Sequence, residues 1–300
     1  MRWSRFLIAA ALLGALALAG SKAIHWAKER PDFAFDPMRL SLRGASPEWF
    51  EAPMARAFYA TYAAMAGAPF SLLNGESLEA FALRLQEHPW VRSSSVEPVL
   101  PDRLRVSVEL RRPLAAVADG SRLRLVDADG AILDLLSADA KLPTDVEARG
   151  SASASPEGSG PFGLPWIQGL GPLGIDRDAA RAAASLVQEW RSEVEMLLKR
   201  ALGSQVPGLV AIDVSNHGLR LAEHESEYVL VVRGVDGPVR IAWGHAPGGV
   251  YRTRIQAEQK VAILVACLRS HPGFAGLGWV DVRFPKSWRE RLRAATSEAR

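Results

Sequence analysis

The chain has 300 residues, 48% of them hydrophobic and 23% charged, with a net charge of +3. That length and apolar content suffice for two ordinary cores, and the charged fraction is that of a globular chain rather than a disordered one. The small net charge, with basic residues spread along the chain, argues against a dedicated nucleic-acid binder. The single cysteine, Cys267, excludes an internal disulfide or a cysteine zinc site, and its apolar helical setting marks it as a small buried hydrophobe.

Arg2 and Arg5 precede an unbroken run of small apolar residues at 6–20. On the residues alone two readings stand. A cleaved signal peptide has a charged start, an apolar centre and a cleavage site such as Ala17-Leu18-Ala19. A membrane anchor needs about twenty apolar residues. The run reaches that length only by extending through Ala23, Ile24 and Trp26, with Lys22 snorkelling outward and Trp26 in the interface. Residues 28–37 read as a polar, proline-containing linker.

Residues 39–44 alternate and end in Gly44, which predicts a short strand. Ser46-Pro47-Glu48 reads as a helix start. Trp49, Phe50, Met54, Phe58, Tyr62 and Met65 then recur at helical spacing as core residues, until Gly67-Ala68-Pro69 breaks the helix. Asn74 or Ser77 caps a second helix carrying Leu78, Phe81 and Leu85. That helix ends at His88-Pro89-Trp90. An extended segment at 91–99 follows, anchored by Val91 and Val96, then the turn Leu100-Pro101-Asp102. Leu104, Val106, Val108 and Leu110 alternate with Arg103, Arg105, Ser107, Glu109 and Arg111, the mark of a half-buried strand, and Pro113 stops it.

The stretch from Pro89-Trp90-Val91 through Leu100-Pro101 to Arg112-Pro113-Leu114-Ala115 resembles the end of the POTRA domain in the FtsQ/DivIB family of bacterial cell-division proteins. The resemblance implies a POTRA domain of order β-α-α-β-β over 38–113. It also implies that residues 1–27 are a short cytoplasmic tail and an uncleaved single-pass anchor in the inner membrane. The bulk of the chain then lies on the extracytoplasmic side, with Arg2 and Arg5 inside.

Beyond Pro113, residues 115–117 and 123–126 continue as strands. Asp127-Ala128-Asp129-Gly130 turns the chain into 131–136, a hairpin. The aspartates do not make a calcium loop, because Ile132 stands where glycine is needed and Ala138 where the closing glutamate is needed. Residues 137–163 are rich in Ser, Gly, Pro and Ala without period and read as a flexible insertion. Order resumes at 164–170. Gly169, Gly171 and Gly174 match a dinucleotide fingerprint in spacing only, since Pro172 interrupts it and no βαβ unit follows.

Asp176 caps a long helix to about 202, with Ala180, Ala183, Leu186, Val187, Trp190, Val194, Leu197 and Leu198 as its apolar stripe. Strands are expected at 209–214, 219–222, 228–232 and 239–243, with His217 in a tight turn. A helix at 254–268 and a last strand at 276–284 complete the pattern. The expected fold class is α+β: an N-terminal transmembrane helix, the POTRA domain, then a mixed α/β domain with an antiparallel sheet at 114–285, and a C-terminal tail at 286–300.

No histidine pair, nucleophile elbow or paired carboxylate points to catalysis, so no enzyme activity, cofactor, metal or small-molecule substrate is expected. The last strand, Trp279-Val280-Asp281-Val282-Arg283-Phe284, again resembles the FtsQ family, in which this region takes up a strand from a small coiled-coil division protein of the FtsB/FtsL type. The resemblance therefore implies a partner-binding edge at Trp279, Val280, Asp281, Val282, Arg283 and Phe284. Trp288, among the charges of 286–293, is expected to add exposed apolar surface. An exported POTRA-containing binding or hydrolytic protein with a cleaved signal peptide is the alternative.

Overall fold

The computed structural model of the chain describes residues 2–40, 48–119, 122–135, 161–170, 175–203, 206–248 and 255–294. Two compact units result, Met1–Arg111 and Arg112–Arg300. Helix α1 (Arg2–Lys28) opens the first. Its apolar side chains Leu12, Leu13, Leu16 and Leu18 are all exposed. The side chains of residues 2–11 fall outside the description, and among the described residues no helix is long and apolar enough to cross a membrane.

In the rest of the first unit, helix α3 (Gly75–Glu87) packs against β3 (Val91–Val99) of the hairpin it forms with β4 (Arg103–Leu110), and helix α2 (Ala52–Met65) meets the end of α3 through Phe58 and His88. A minimal ladder, β1 (Ala34–Phe35) with β2 (Phe70–Ser71), ties the linker to the turn between the helices. The expected strand at 39–44 lies outside the described residues from 41 on, and Arg39 closes a 3-10 turn, Pro37–Arg39. Helix α2 begins at Ala52 rather than at 46–48, with Glu51 at its N-cap and Pro53 in its first turn. The cause is Pro53 itself, whose ring clashes with a preceding turn and is tolerated only where the helix starts. Trp49 and Phe50 thus precede the helix.

The core of this unit is aromatic. Phe58 stacks parallel to Tyr62 at 6.2 Å, and Phe50 meets Trp90 edge-on at 5.7 Å. Tyr62 donates its hydroxyl to the Pro37 carbonyl, and burial pushes its pKa up to about 12. His88 is 1% exposed and its ring lies 4.4 Å from that of Phe58. Its Nδ1 accepts from the Trp90 N–H at 3.1 Å, so its Nε2 carries the proton and donates to the Phe58 carbonyl at 3.0 Å. Both ring nitrogens are satisfied only in the neutral form.

Burial accordingly lowers the His88 pKa below its ordinary 6.5. Between the folded and unfolded pKa the unfolded chain binds more protons, so this stabilisation is complete above 6.5 and is lost as pH falls through the folded value. The first unit should therefore melt lower at about pH 5 than at about pH 7.5. Substituting His88 by glutamine should shrink that difference. An equal pH dependence in the variant would assign it to other groups.

The second unit is built on one nine-stranded sheet. Its strands are β5 (Pro113–Asp119), β6 (Arg122–Asp127), β7 (Ile132–Asp134), β8 (Trp166–Gln168), β9 (Leu209–Asp213), β10 (Tyr228–Arg233), β11 (Pro238–Gly244), β12 (Leu277–Asp281) and β13 (Arg293–Ala294). Their order across the sheet is β13-β12-β11-β10-β9-β8-β5-β6-β7. The sheet is mixed, not antiparallel as expected: β5 with β8, β8 with β9, and β11 with β12 run parallel. The connections impose two of these three pairings. Helices α4 (Arg177–Glu189) and α5 (Glu195–Leu202), joined by a π turn, lie between β8 and β9, and α6 (Ala257–Ser270) lies between β11 and β12. A helical crossover carries the chain back to the end from which it started, so the next strand enters in the same direction.

These helices bury Ala180, Ala183, Val187, Trp190, Val261 and Leu264 against the sheet. Two charged residues enter the same interior. Lys260, 2% exposed, sits with Nζ 4.4 Å over the Trp243 ring, and Trp243 Nε1 donates to Glu189 Oε2 at 3.2 Å.

Two details position the loops at the end of the sheet. Gly169 has φ +79°, and a Cβ there would meet the Ser215 nitrogen at 2.5 Å. Glycine is thus needed for the approach of two backbones, not for a nucleotide; Gly171 and Gly174 lie outside the described residues. The strand expected at 219–222 is absent. Leu219 has φ +57°, which no strand tolerates. Asn216 organises the segment as a loop instead. Its amide donates to the Ala222 and Ser226 carbonyls, and its oxygen accepts from the Leu221 and Ala222 N–H groups. Most of the insertion expected at 137–163 lies outside the described residues.

Candidate partner-binding edge

The last strand alternates small, aromatic and branched residues, and the sheet sorts them by face. Val280 and Val282 are fully buried in the core. Trp279 faces the other way and is half-buried. In register it stands beside Arg240 of β11 and Arg293 of β13. Their guanidinium carbons lie 5.9 Å and 5.6 Å from its ring centre, so a cation–π row crosses three adjacent strands. Arg240 also pairs with Asp213. Burial alone would raise the Asp213 pKa, but hydrogen bonds from Ser215 and Arg240, with the charge of Arg240, hold it below the usual carboxylate range.

Strand β12 ends at Asp281, three residues earlier than expected. Asp281 is 3% exposed and accepts from Arg283 three times: from N at 3.0 Å, Nε at 3.0 Å and one Nη at 2.8 Å. The remaining Arg283 Nη donates to the His224 carbonyl at 3.2 Å, which ties the strand end to the loop before β10. Phe284 lies beyond the strand and is 39% exposed. Arg291 covers one side of it at 3.9 Å and Arg283 approaches at 5.1 Å.

Two expectations are corrected here. Trp288 is not exposed. It opens a 3-10 turn, Trp288–Arg291, with 9% of its surface accessible, and belongs to the core of the unit. The surrounding charges mislead because they cover aromatic surface: the Arg289 guanidinium lies 5.2 Å over the Trp288 ring and that of Arg291 packs on Phe284, while the Trp288 ring turns in. Nor is the edge of β12 open along its whole length. After Phe284 the chain turns, with the Ser287 N–H donating to the Phe284 carbonyl at 3.1 Å, and returns as β13, which pairs Leu277 with Ala294 and Trp279 with Arg293. The segment from 286 is therefore not a plain tail. Both residues of β13 are exposed, and it forms the outer edge of the sheet.

Of the seven expected site residues, the structure places Trp279, Arg283 and Phe284 at the surface and buries Val280, Asp281, Val282 and Trp288. Arg240, Arg291 and Arg293 join Trp279, Arg283 and Phe284 at the surface. Arg293 could have been suspected from the basic run after Pro285, whereas Arg240 comes into place only through the parallel pairing of β11 with β12.

A second polar group sits at the same end of the sheet. Buried Glu227 accepts from the Gly218 N–H at 3.0 Å and meets His245 Nδ1 at 2.7 Å, and His217 Nδ1 lies 2.6 Å from the Tyr228 hydroxyl. These contacts hold three loops together. Among the described residues no group of three His, Cys, Asp or Glu side chains is placed to hold a metal ion.

No protein-family model matches the chain. A stretch of 52 residues, 17% of the chain, is 44% identical to the cell division protein FtsQ of Koribacter versatilis (strain Ellin345), and the match covers 15% of that protein's length. Over that stretch the chain is FtsQ-like, and a cell-division relationship is supported to that extent.

Proposed function

We propose that the chain is a membrane-anchored, non-catalytic assembly protein of the bacterial division machinery. In this reading α1 is a single-pass anchor in the inner membrane. Residues 38–113 form a POTRA domain, and the second unit binds small coiled-coil division proteins of the FtsB/FtsL type by strand addition. The observation that carries the reading is the 44% identity over 52 residues to a cell-division FtsQ. The edge formed by β12 and β13, with Trp279 and Phe284 beside exposed guanidinium groups, supports the binding role. An added strand has main-chain donors and acceptors to meet there, and an aromatic surface to pack on. The pairing of β13 extends over two register positions, so a partner strand adds outside β13 or takes its place at little cost.

The test is Phe284→Ala in the full chain, measured against a coiled-coil division partner from the same cell. An exposed aromatic at the centre of an interface is worth about 1–3 kcal/mol, so affinity should fall roughly tenfold or more. The melting curve should not move. Full binding by the variant would exclude Phe284 from the interface.

A further inference from the structure

A cleft of about 690 Å³ lies in the first unit where the segment after α1 meets the β3–β4 turn. Pro31, Phe35 and Arg39 line one side, and Pro101, Asp102 and Leu104 the other. Helix α1 ends at Lys28, so Glu29 and Arg30 alone separate it from the first lining residue. At about 3.5 Å per residue, the cleft begins within about 10 Å of the helix end. The short tether and the shared cleft thus bring the tip of the β3–β4 hairpin to the place where α1 stops.

That neighbourhood carries apolar side chains in water. Leu100 at the hairpin tip is 56% exposed, Met38 in the linker 58% and Trp26 in the last turn of α1 59%. Single exposed hydrophobes mean little. Here Leu100 and Met38 each adjoin a residue lining the cleft, Pro101 and Arg39, and Trp26 lies five residues before Pro31, which lines it too. Trp26 is of the type that settles at the headgroup level, and Arg30 stacks over its ring at 4.2 Å. Charge does not explain the grouping. From Lys28 to Arg39 the basic residues Lys28, Arg30 and Arg39 are matched by Glu29, Asp32 and Asp36. Arg30 pairs with Asp32 at 3.3 Å and Arg39 with Asp36 at 3.8 Å. At the hairpin tip Asp102 likewise stands beside Arg103, and a surface so balanced has no pull toward anionic lipid, so its affinity for a bilayer comes from apolar contact.

We infer that Leu100, Met38 and Trp26 form a membrane-surface contact that seats the first unit on the bilayer where α1 emerges. The inference rests on reading α1 as an anchor. The occupant is the bilayer interface itself, because the two-residue tether and the cleft that Pro31 and Pro101 share keep the hairpin tip near the end of α1. The contact gives the hairpin a fixed bearing on the membrane, with its tip down.

The experiment uses the full chain in phosphatidylcholine vesicles containing a shallow nitroxide-labelled phosphatidylcholine. An environment-sensitive fluorophore is attached at Leu100→Cys and, separately, at Arg92→Cys. Cys267 is fully buried and does not compete for the label. Positions 92 and 100 lie at opposite ends of β3, about 26 Å apart at about 3.3 Å per residue. Flotation with the vesicles is read first. A chain that does not float overturns the anchor reading and this inference with it. In chains that float, the label at 100 should be blue-shifted and strongly quenched, the label at 92 should not, and added salt should change neither. Equal quenching at both positions overturns the membrane contact and leaves the anchor standing. Quenching at 100 that disappears in salt overturns apolar seating.

Discussion

Replacing Trp90 by alanine is expected to destabilise the first unit by about 3–5 kcal/mol, the range for removing a buried aromatic. Trp90 is 1% exposed, meets Phe50 edge-on, and joins the helix end to the sheet through its backbone. Its N–H donates to His88 and its carbonyl accepts from the Arg111 N–H at 2.9 Å. The aromatic cluster is rigid and cannot collapse onto the vacated volume, so the cavity cost adds to the lost transfer energy. Amide exchange in β3 and β4 of the full chain reads the effect within the first unit. Parent-like protection there would show that the ring contributes little to this core.

Trp288→Glu should unfold the second unit rather than merely block a surface. The ring is 9% exposed and packs in the main core, so a carboxylate placed there loses that packing and most of its hydration, with only Arg289, among the described residues, near enough to offset the charge. The loss of a large apolar side chain costs about 3 kcal/mol or more, and desolvating the charge adds to it. The melting curve should shift strongly, and any loss of partner binding in this variant would report unfolding. Phe284→Ala, at an exposed position, is the informative counterpart. A parent-like melting curve for Trp288→Glu would mean that Trp288 stands outside the core.

Much of the local structure was legible in the residues because it rests on short-range rules. The β3–β4 hairpin follows from period-two alternation around Leu100-Pro101-Asp102, and the 177–202 helix from its apolar stripe behind Asp176, whose carboxylate caps the Asp178 and Ala179 N–H groups. Helix α2 starts later than Ser46-Pro47 suggests because Pro53 fits a helix only in its first turn. The expected strand at 219–222 failed for a different reason. Asn216 and Ser226 are ten residues apart, and their hydrogen bond exists only once the loop has closed.

The candidate edge was half legible. Its alternation marked a strand, and its aromatics marked something beyond packing. Which aromatic faces water depends on where the chain goes after Pro285, and that is decided by the turn that brings Arg293 beside Trp279.

By itself, then, the sequence determined most of the elements and their order, the apolar N-terminal helix and the aromatic composition of the first core, because periodicity and proline or glycine placement act within a few residues. The tertiary structure alone decided that the large sheet is mixed, that Lys260 and Glu189 lie inside it, that Trp288 is core and Phe284 surface, and that β13 shields part of β12. Each of these depends on contacts between residues far apart in the chain, which no local pattern encodes.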